Sequence, residues 1–508
     1  MKIILAGYNI DYETIMDLED RCEDLEELTP ETIAAAYARI SRSPRPVDEL
    51  RAAARGEVDK ARQSNRNIVF EMGHSSIAEH AVFNVDVLGV SRLLVEDIER
   101  FRLCSYTEKS QRYVLFQDDF VIPEEIRNAG LERPFTEAVR DQNSFYRECY
   151  ERLRPYVFSR HPELARDPAN RSLLEGWAKE DARYAIALAT ETQLGMTLNA
   201  RNLELMLRRL AAHSLAEARD FSAALFKATR SIAPSLVRYT EATDYDRLTR
   251  RGLREYVSSL LGENKGNISQ EKRRETESET VLAGGSPDDV TLVYASPEAD
   301  LRILAALLHS SSRRPLAECH AVAEGMSPPQ RLAIIKTALR HLRPYDSVLR
   351  EFEYAELVFE LTVSASCFAQ LKRHRMATLT AQDYDPSLGV TIPPSLGEIG
   401  MEKSFRELIA RTEEVYGKLR ERAGDGATYV LTNAHRRRVL LKVNAREFYH
   451  ITRLRADRHA QWDIRELTLK MLAEARKAMP LTLLLAAGKD GFGDLYNKIF
   501  DPKKEERA

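Results

Sequence analysis

The same ordered set of elements occurs twice in the chain, and this constrains the fold more than any single motif. An apolar, β-type run at 81–90 leads through a helical pattern at 91–98 into Arg100-Phe101-Arg102. A run of the same type at 355–363 leads through 364–372 into Arg373-His374-Arg375. Further on, Asn199-Ala200-Arg201 is matched by Asn444-Ala445-Arg446. Each triplet opens a long helical pattern containing an Arg-x-x-x-His pair, Arg209/His213 and Arg455/His459. A spacing of i, i+4 on a helix predicts that both side chains of each pair share one face. Four matches in one order read as a tandem duplication, domain-sized rather than solenoid-sized.

The boundaries follow from that reading. With 508 residues there is room for two repeats, each able to bury its own core. Residues 1–244 form the first repeat and 289–508 the second. Between them, 245–288 ends in Gly, Asn, Ser, Glu and Lys with few large apolar residues, the composition of a linker. Short β-type runs at 2–7 and 291–294 and helical patterns at 58–71, 133–231 (including 180–188) and 200–224 predict an α+β fold. Each repeat would be a small sheet with long helices, and the two together a pseudo-dimer.

The composition excludes several function classes. A net charge of −3 argues against a nucleic-acid binder working by bulk electrostatics, so phosphate recognition would need local arginine clusters. Cys22, Cys104, Cys149, Cys319 and Cys367 have no paired spacing, which suits a reducing cytoplasm and gives no metal signature. No run of 18 or more apolar residues exists, so no membrane span and no membrane partner are expected.

The stretch from Glu99 to Tyr113 carries three arginines and Ser110 at the end of ordered elements. It reads as an anion site or as a solvated basic helix end. Cys104 is expected to pack as a small buried residue rather than to act as a nucleophile. His80 and His320 are expected to satisfy core hydrogen bonds, since neither has ligand spacing around it, and no metal site is expected. Gly424-Asp425-Gly426 and Gly491-Phe492-Gly493 read as turns. The run His435-Arg436-Arg437-Arg438 reads as a solvated helix face.

The ordered set resembles the flavin-dependent thymidylate synthase (ThyX) family. That family's motif is Arg-His-Arg, seven residues, then Ser. Arg100-Phe101-Arg102, seven residues and Ser110 fit it, departing only at Phe101. The family's His-x-Thr/Ser-x-x-Glu-His element resembles His74-Ser75-Ser76-Ile77-Ala78-Glu79-His80. Its Asn-Ala-Arg helix, ending in Leu-Arg-Ala-Asp-x-His-Ala-Gln-Trp, is similar to 444–446 and 454–462. The likeness implies reductive methylation of dUMP to dTMP, with methylenetetrahydrofolate as carbon donor and FAD reduced by NADPH as hydride donor. The flavin carries the difficult chemistry, which fits a chain with no convincing nucleophile–base signature.

The resemblance also assigns residues, unevenly between the repeats. The first keeps the dUMP side: Glu108, Ser110, Gln111 and Arg112, with Arg183 where the family has another dUMP-binding arginine. The second has Ala381, Asp383, Tyr384, Asp385 and Thr428 at those positions, and an aspartate there would repel a phosphate. The second keeps Gln370, Arg373, His374, Arg375, Asn444, Arg446, Arg455 and His459, whereas the first has Asp97 for Gln370 and Phe101 for His374. Gln370 and Arg373 would complete the nucleotide pocket. Arg455 would pair with the uracil ring and stabilise charge as hydride arrives, and Ser110 would act beside it. Arg373, His374, Arg375, Asn444, Arg446 and His459 would hold the flavin, with Ser76 and Glu79 as further contacts. Complementary loss implies one working kind of composite site. Because the family is homotetrameric, two chains would form a homodimer equivalent to it, a pseudo-tetramer. A flavoenzyme on another pyrimidine nucleotide, or a silent nucleotide- or flavin-binding protein, are the alternatives.

Overall fold

The computed structural model describes residues 1–11, 29–40, 43–71, 74–112, 114–116, 118–261 and 289–501. The acidic stretch 17–27 with Cys22, Gly73 just before the His74–His80 element, Tyr113 at the end of the arginine stretch, 262–288 of the expected linker, and the tail 502–508 lie outside them. Helix and sheet are mixed throughout, and the strands form two four-stranded antiparallel sheets.

The first sheet comprises β1 (Lys2–Tyr8), β2 (Val82–Ser91), β3 (Ser105–Glu108) and β4 (Glu191–Asn199), in the order β1-β2-β4-β3. The second comprises β5 (Val290–Ala295), β6 (Glu356–Ser364), β7 (Thr378–Ala381) and β8 (Arg436–Asn444), in the equivalent order β5-β6-β8-β7. Strand alternation explains why these segments form half-buried sheets. In β2, Phe83, Val85 and Val87 are buried while Asn84 and Asp86 face out; in β6, Leu357, Phe359 and Leu361 are buried.

The repetition extends to the caps. Ser91 accepts from Leu94 N at the start of the helix Arg92–Ile98, and Ser364 accepts from Cys367 N at the start of Ala365–Leu371. Asn199 caps Ala200–Ala211 through Asn202 N, and Asn444 caps Ala445–Arg455 through Glu447 N, both at 2.9 Å. The repeated Asn of each Asn-Ala-Arg triplet therefore has a structural task in both copies.

Two compact units emerge: Met1–Ile268 with Ser395–Thr432, and Ser269–Pro394 with Asn433–Ala508. The sequence boundaries follow the repeats; the compact units put 395–432 of the second repeat with the first. The reason is packing inside the first unit. Gln142 of the long helix Glu132–Arg160 donates to Thr412 Oγ1 at 3.0 Å and to Val430 O at 2.9 Å, and Phe145 meets Phe405. Tyr429 OH donates to the buried Glu217 carboxylate at 2.7 Å. In the second unit the core gathers Leu357, Phe359, Leu441, Phe448, Ile464 and Met471, all essentially inaccessible.

Several expectations are corrected. Both β4 and β8 lie where helical or solvated-helix readings were expected, and His435 is fully buried at the edge of β8. The helices end at Ala211 and Arg455, so His213 and His459 lie beyond them and do not share a helical face with Arg209 and Arg455. Asp457 fixes the second ending through one local and one distant bond: its Oδ1 accepts from His459 N at 2.9 Å and its Oδ2 from Asp490 N at 3.0 Å. A helix from Lys489 to Phe500 contains Gly491-Phe492-Gly493, whereas Gly424 turns the chain with φ 55° after the helix Glu402–Ala423. Helix Arg171–Ala182 stops before 188, and a break separates Ala200–Ala211 from Ala216–Thr229. Residues Asp244–Leu260, at the start of the expected linker, form an exposed helix capped by Thr243.

Candidate active site

In the first unit β3 hands the chain to a loop whose side chains are held by buried charge. Glu108 ends β3, and its carboxylate is paired with Arg92; the two side chains are 1% and 6% exposed. Thr192 Oγ1 of β4 donates to the same carboxylate at 3.4 Å. Ser110 Oγ accepts from Arg112 N at 3.2 Å, a turn that aims the loop, and Gln111 is buried. Arg112 reaches the helix Arg171–Ala182, with Nε 3.0 Å from Glu180 Oε1 and NH2 donating to Oε2 at 3.4 Å. Such a fork-to-carboxylate contact fixes the guanidinium plane.

One turn further on, Arg183 is 5% exposed. Burial pulls its pKa down against the opposing charge of Glu180, and burial likewise raises Glu180 against Arg112 and Arg183. The sequence-predicted dUMP-side residues thus lie in one unit. Glu180 and Arg92 were missed, although Glu180 stands three residues before Arg183 in the sequence. Ser76 and Glu79 lie on the 3₁₀ turn Ser75–His80, where Ser76 is exposed and Glu79 pairs with Arg201. His80 is exposed and rests edge-on against Tyr37, and His320 pairs with Glu324 at 3.2 Å, so neither serves a core; Cys104 is buried as expected.

The second unit assembles a different set. Arg455, the last residue of its helix, donates Nε–H to His374 Nε2 at 3.0 Å and NH2 to Gln370 O at 3.2 Å; NH1 lies 3.5 Å from Gln370 Oε1. Gln370 Nε2 donates to Gln461 at 3.3 Å. His374 and Gln370 are 4% and 8% exposed. Arg373 is exposed, Arg375 half-buried, and His459 points outward onto Asp457 at 2.9 Å. Arg446 donates to Val348 O at 2.9 Å and meets Glu353 at 3.3 Å, the counterpart of the Arg201–Glu79 pair. Beside Arg446 runs a cleft whose wall combines Arg343, Arg453 and Lys489 with Tyr449, Leu485 and Phe492. Cationic and apolar surfaces side by side suit a ligand that is part phosphate and part aromatic ring.

The eroded positions have other tasks. In the first repeat Leu210, buried at 3%, holds the place of Arg455 counted from the capping Asn. Arg208 and Arg209 both reach Asp246 at 3.1 Å. Asp97, in the place of Gln370, meets His213 at 3.3 Å and Arg100 at 3.0 Å. In the second repeat Asp385 accepts from Ser387 N at 2.9 Å, and the Arg437 guanidinium lies over the buried Tyr384 ring at 4.2 Å.

Comparison with known proteins agrees in placing both halves. The family model described as "Thymidylate synthase complementing protein" matches residues 25–235 and again 291–481. A UPF0159 protein of Thermoplasma acidophilum is 24% identical over 84% of this chain and 88% of its own length. A UPF0159 protein of Chlamydia muridarum is 26% identical over 83% and 80%. A flavin-dependent thymidylate synthase of Clostridium tetani is 31% identical over 42% of this chain and 82% of its own length. A crystal structure of a flavin-dependent thymidylate synthase from Helicobacter pylori covers 47% of this chain and 100% of its own, at 19% identity and TM-score 0.32. The long relatives span both repeats, whereas the Clostridium synthase matches less than half of the chain.

Proposed function

The chain belongs to the thymidylate synthase complementing protein family, that of the flavin-dependent thymidylate synthases, and from that premise we propose that it converts dUMP to dTMP by reductive methylation. Methylenetetrahydrofolate would give the carbon and NADPH the reducing equivalents, with FAD as the flavin. The observation that carries this reading is the division of intact side-chain sets: Arg112–Glu180–Arg183 with Glu108 and Ser110 in the first repeat, and Gln370–His374–Arg455 in the second. Each repeat keeps what the other has replaced.

The residues have separable tasks. Arg112 and Arg183 hold the nucleotide phosphate, with the turn at Ser110 presenting backbone donors. Gln370 and Arg373 complete the nucleotide pocket. Arg455, pinned through three nitrogens, presents its charge to the uracil ring, where negative charge grows in the transition state. Arg373, His374, Arg375, Asn444, Arg446 and His459, with Ser76 and Glu79, would hold the flavin; of these, Arg446 lines the cleft of cationic and apolar side chains described above. When bound, the flavin supplies the hydride. Engagement of Arg208 and Arg209 by Asp246 supports a first repeat without a flavin grip of its own. A capped Asp385 and a stacked Tyr384 support a second repeat without a dUMP cradle. Two chains would then form a homodimer with the four repeats of a family tetramer.

Complementation tests the reading. Expression of the protein should let a thymidine-requiring strain grow without thymidine, and the Arg112→Ala variant should not. Failure of the wild type, when the protein is expressed and folded, overturns dUMP methylation.

A further inference from the structure

His374 and Arg455 meet in a geometry that determines a proton's position. A guanidinium donates and never accepts, so the 3.0 Å contact from Arg455 Nε requires a lone pair on His374 Nε2. The proton of the neutral ring therefore sits on Nδ1. That atom faces Glu447 Oε1 at 3.6 Å, and Glu447 is only 13% exposed. His450 stands edge-on to the His374 ring at 5.7 Å, and its own Nδ1 receives Arg453 NH2 at 2.9 Å. Among the described residues, Glu447, His450 and Arg455 are the charged or titratable groups that act on His374.

The same three side chains, His374, Glu447 and His450, lie close enough to share one cation. The tautomer argues against this: Nδ1 carries a proton, and no lone pair of His374 points toward the other two. The first repeat supplies an internal control. There the matching positions are Phe101 for His374, Asn202 for Glu447 and Leu210 for Arg455. The three members are replaced together.

We propose that Glu447 is a positioning residue: it holds His374 in the Nδ1–H tautomer and orientation that fix the Arg455 guanidinium. This rests on the role given to Arg455 above. Gln370 fixes the other edge of the guanidinium, through its side-chain and backbone oxygens. With Glu447 removed, the imidazole loses the group that orients it, and Arg455 loses one of its two anchors. Acid has a related effect. A proton on Nε2 sets N–H against N–H and expels Arg455; burial, with the Arg455 charge, holds the His374 pKa below its ordinary value, and the Glu447 carboxylate opposes that shift and favours protonation.

Two variants and one spectrum test this. Glu447→Gln keeps an acceptor toward Nδ1–H but removes the charge. It should lower kcat about threefold and move the acid limb of the kcat/KM profile down by about one pH unit. Glu447→Met keeps bulk without an acceptor and should lower kcat by roughly 10- to 100-fold, as displaced reactive groups do. A residue that merely stabilises the fold would not move the acid limb. Independently of turnover, full-length protein labelled with ¹⁵N-histidine, with His374→Asn to assign the signal, should show His374 protonated on Nδ1 and unprotonated on Nε2. The Nε2 signal should shift in Glu447→Met and remain near its place in Glu447→Gln. A proton found on Nε2, or an Nε2 signal unmoved in both variants, overturns the proposal. Absence of dTMP formation with the expected spectra would instead overturn dUMP methylation and leave the positioning of Arg455 by Glu447 established.

Discussion

The Arg92–Glu108 pair allows a quantitative test, because the protein carries its own double replacement. Arg92 directly follows the capping Ser91, and its counterpart after the capping Ser364 is Ala365; the counterpart of Glu108 is Ala381. Both members of the pair are thus alanine in the second repeat. In the first, side chains 6% and 1% exposed place the ion pair out of water. Removing one partner breaks a buried ion pair: in Arg92→Ala, Glu108 loses the guanidinium, and its remaining neighbours include Thr192 Oγ1 at 3.4 Å, a neutral donor. Breaking a buried pair from one side costs about 3–5 kcal/mol, so each single alanine variant should lose roughly 3 kcal/mol. The double variant removes both charges and should lose no more than either single variant, a coupling of about 3 kcal/mol. Urea unfolding of all four proteins at one protein concentration measures it. Losses that add to within about 0.5 kcal/mol would refute the account of the pair.

Other perturbations separate the remaining contacts. Glu217 is buried and accepts from Ser91 N at 2.8 Å, Ser91 Oγ at 2.6 Å and Tyr429 OH at 2.7 Å, so Glu217→Leu should cost more than Tyr429→Phe, about 3 against 1 kcal/mol by chemical denaturation. Burial pushes the Asp97 carboxyl up, but His213 and Arg100 outweigh it and hold its pKa at about 2, below the ordinary 3.8. Its contribution is therefore present above pH 3.8 and lost as pH falls toward 2, and Asp97→Asn should flatten the fall of stability over that window. Arg112→Ala should abolish dTMP formation, whereas Asp385→Ala should change it less than twofold. Equal loss in both would contradict the division of labour between the repeats.

Much of the candidate site could be proposed from the sequence because its residues cluster in short motifs. Ser110, Gln111 and Arg112 form one turn, and Gln370 and His374 are four residues apart on either side of a helix end, so their neighbourhoods are local. What escaped was non-local. Glu180 meets Arg112 and Arg92 meets Glu108 only because helices pack beside the sheet, and neither partner carries a motif of its own. Strand β4 was legible in principle: Thr192, Leu194, Met196 and Leu198 are buried in strict alternation, but long helical patterns on both sides obscured it. Strand β8 was harder, since three consecutive arginines hide the period of two. The helix ends at Ala211 and Arg455 depend on tertiary contacts, and an Arg-x-x-x-His pattern cannot reveal them.

The central claim is one flavin-dependent dUMP site built from complementary half-sets. Purified full-length protein should be yellow or take up FAD at one per chain, and with dUMP, methylenetetrahydrofolate and NADPH it should release dTMP. Two FAD per chain would contradict the division between the repeats. A colourless protein that takes up no FAD and forms no dTMP would contradict the account as a whole.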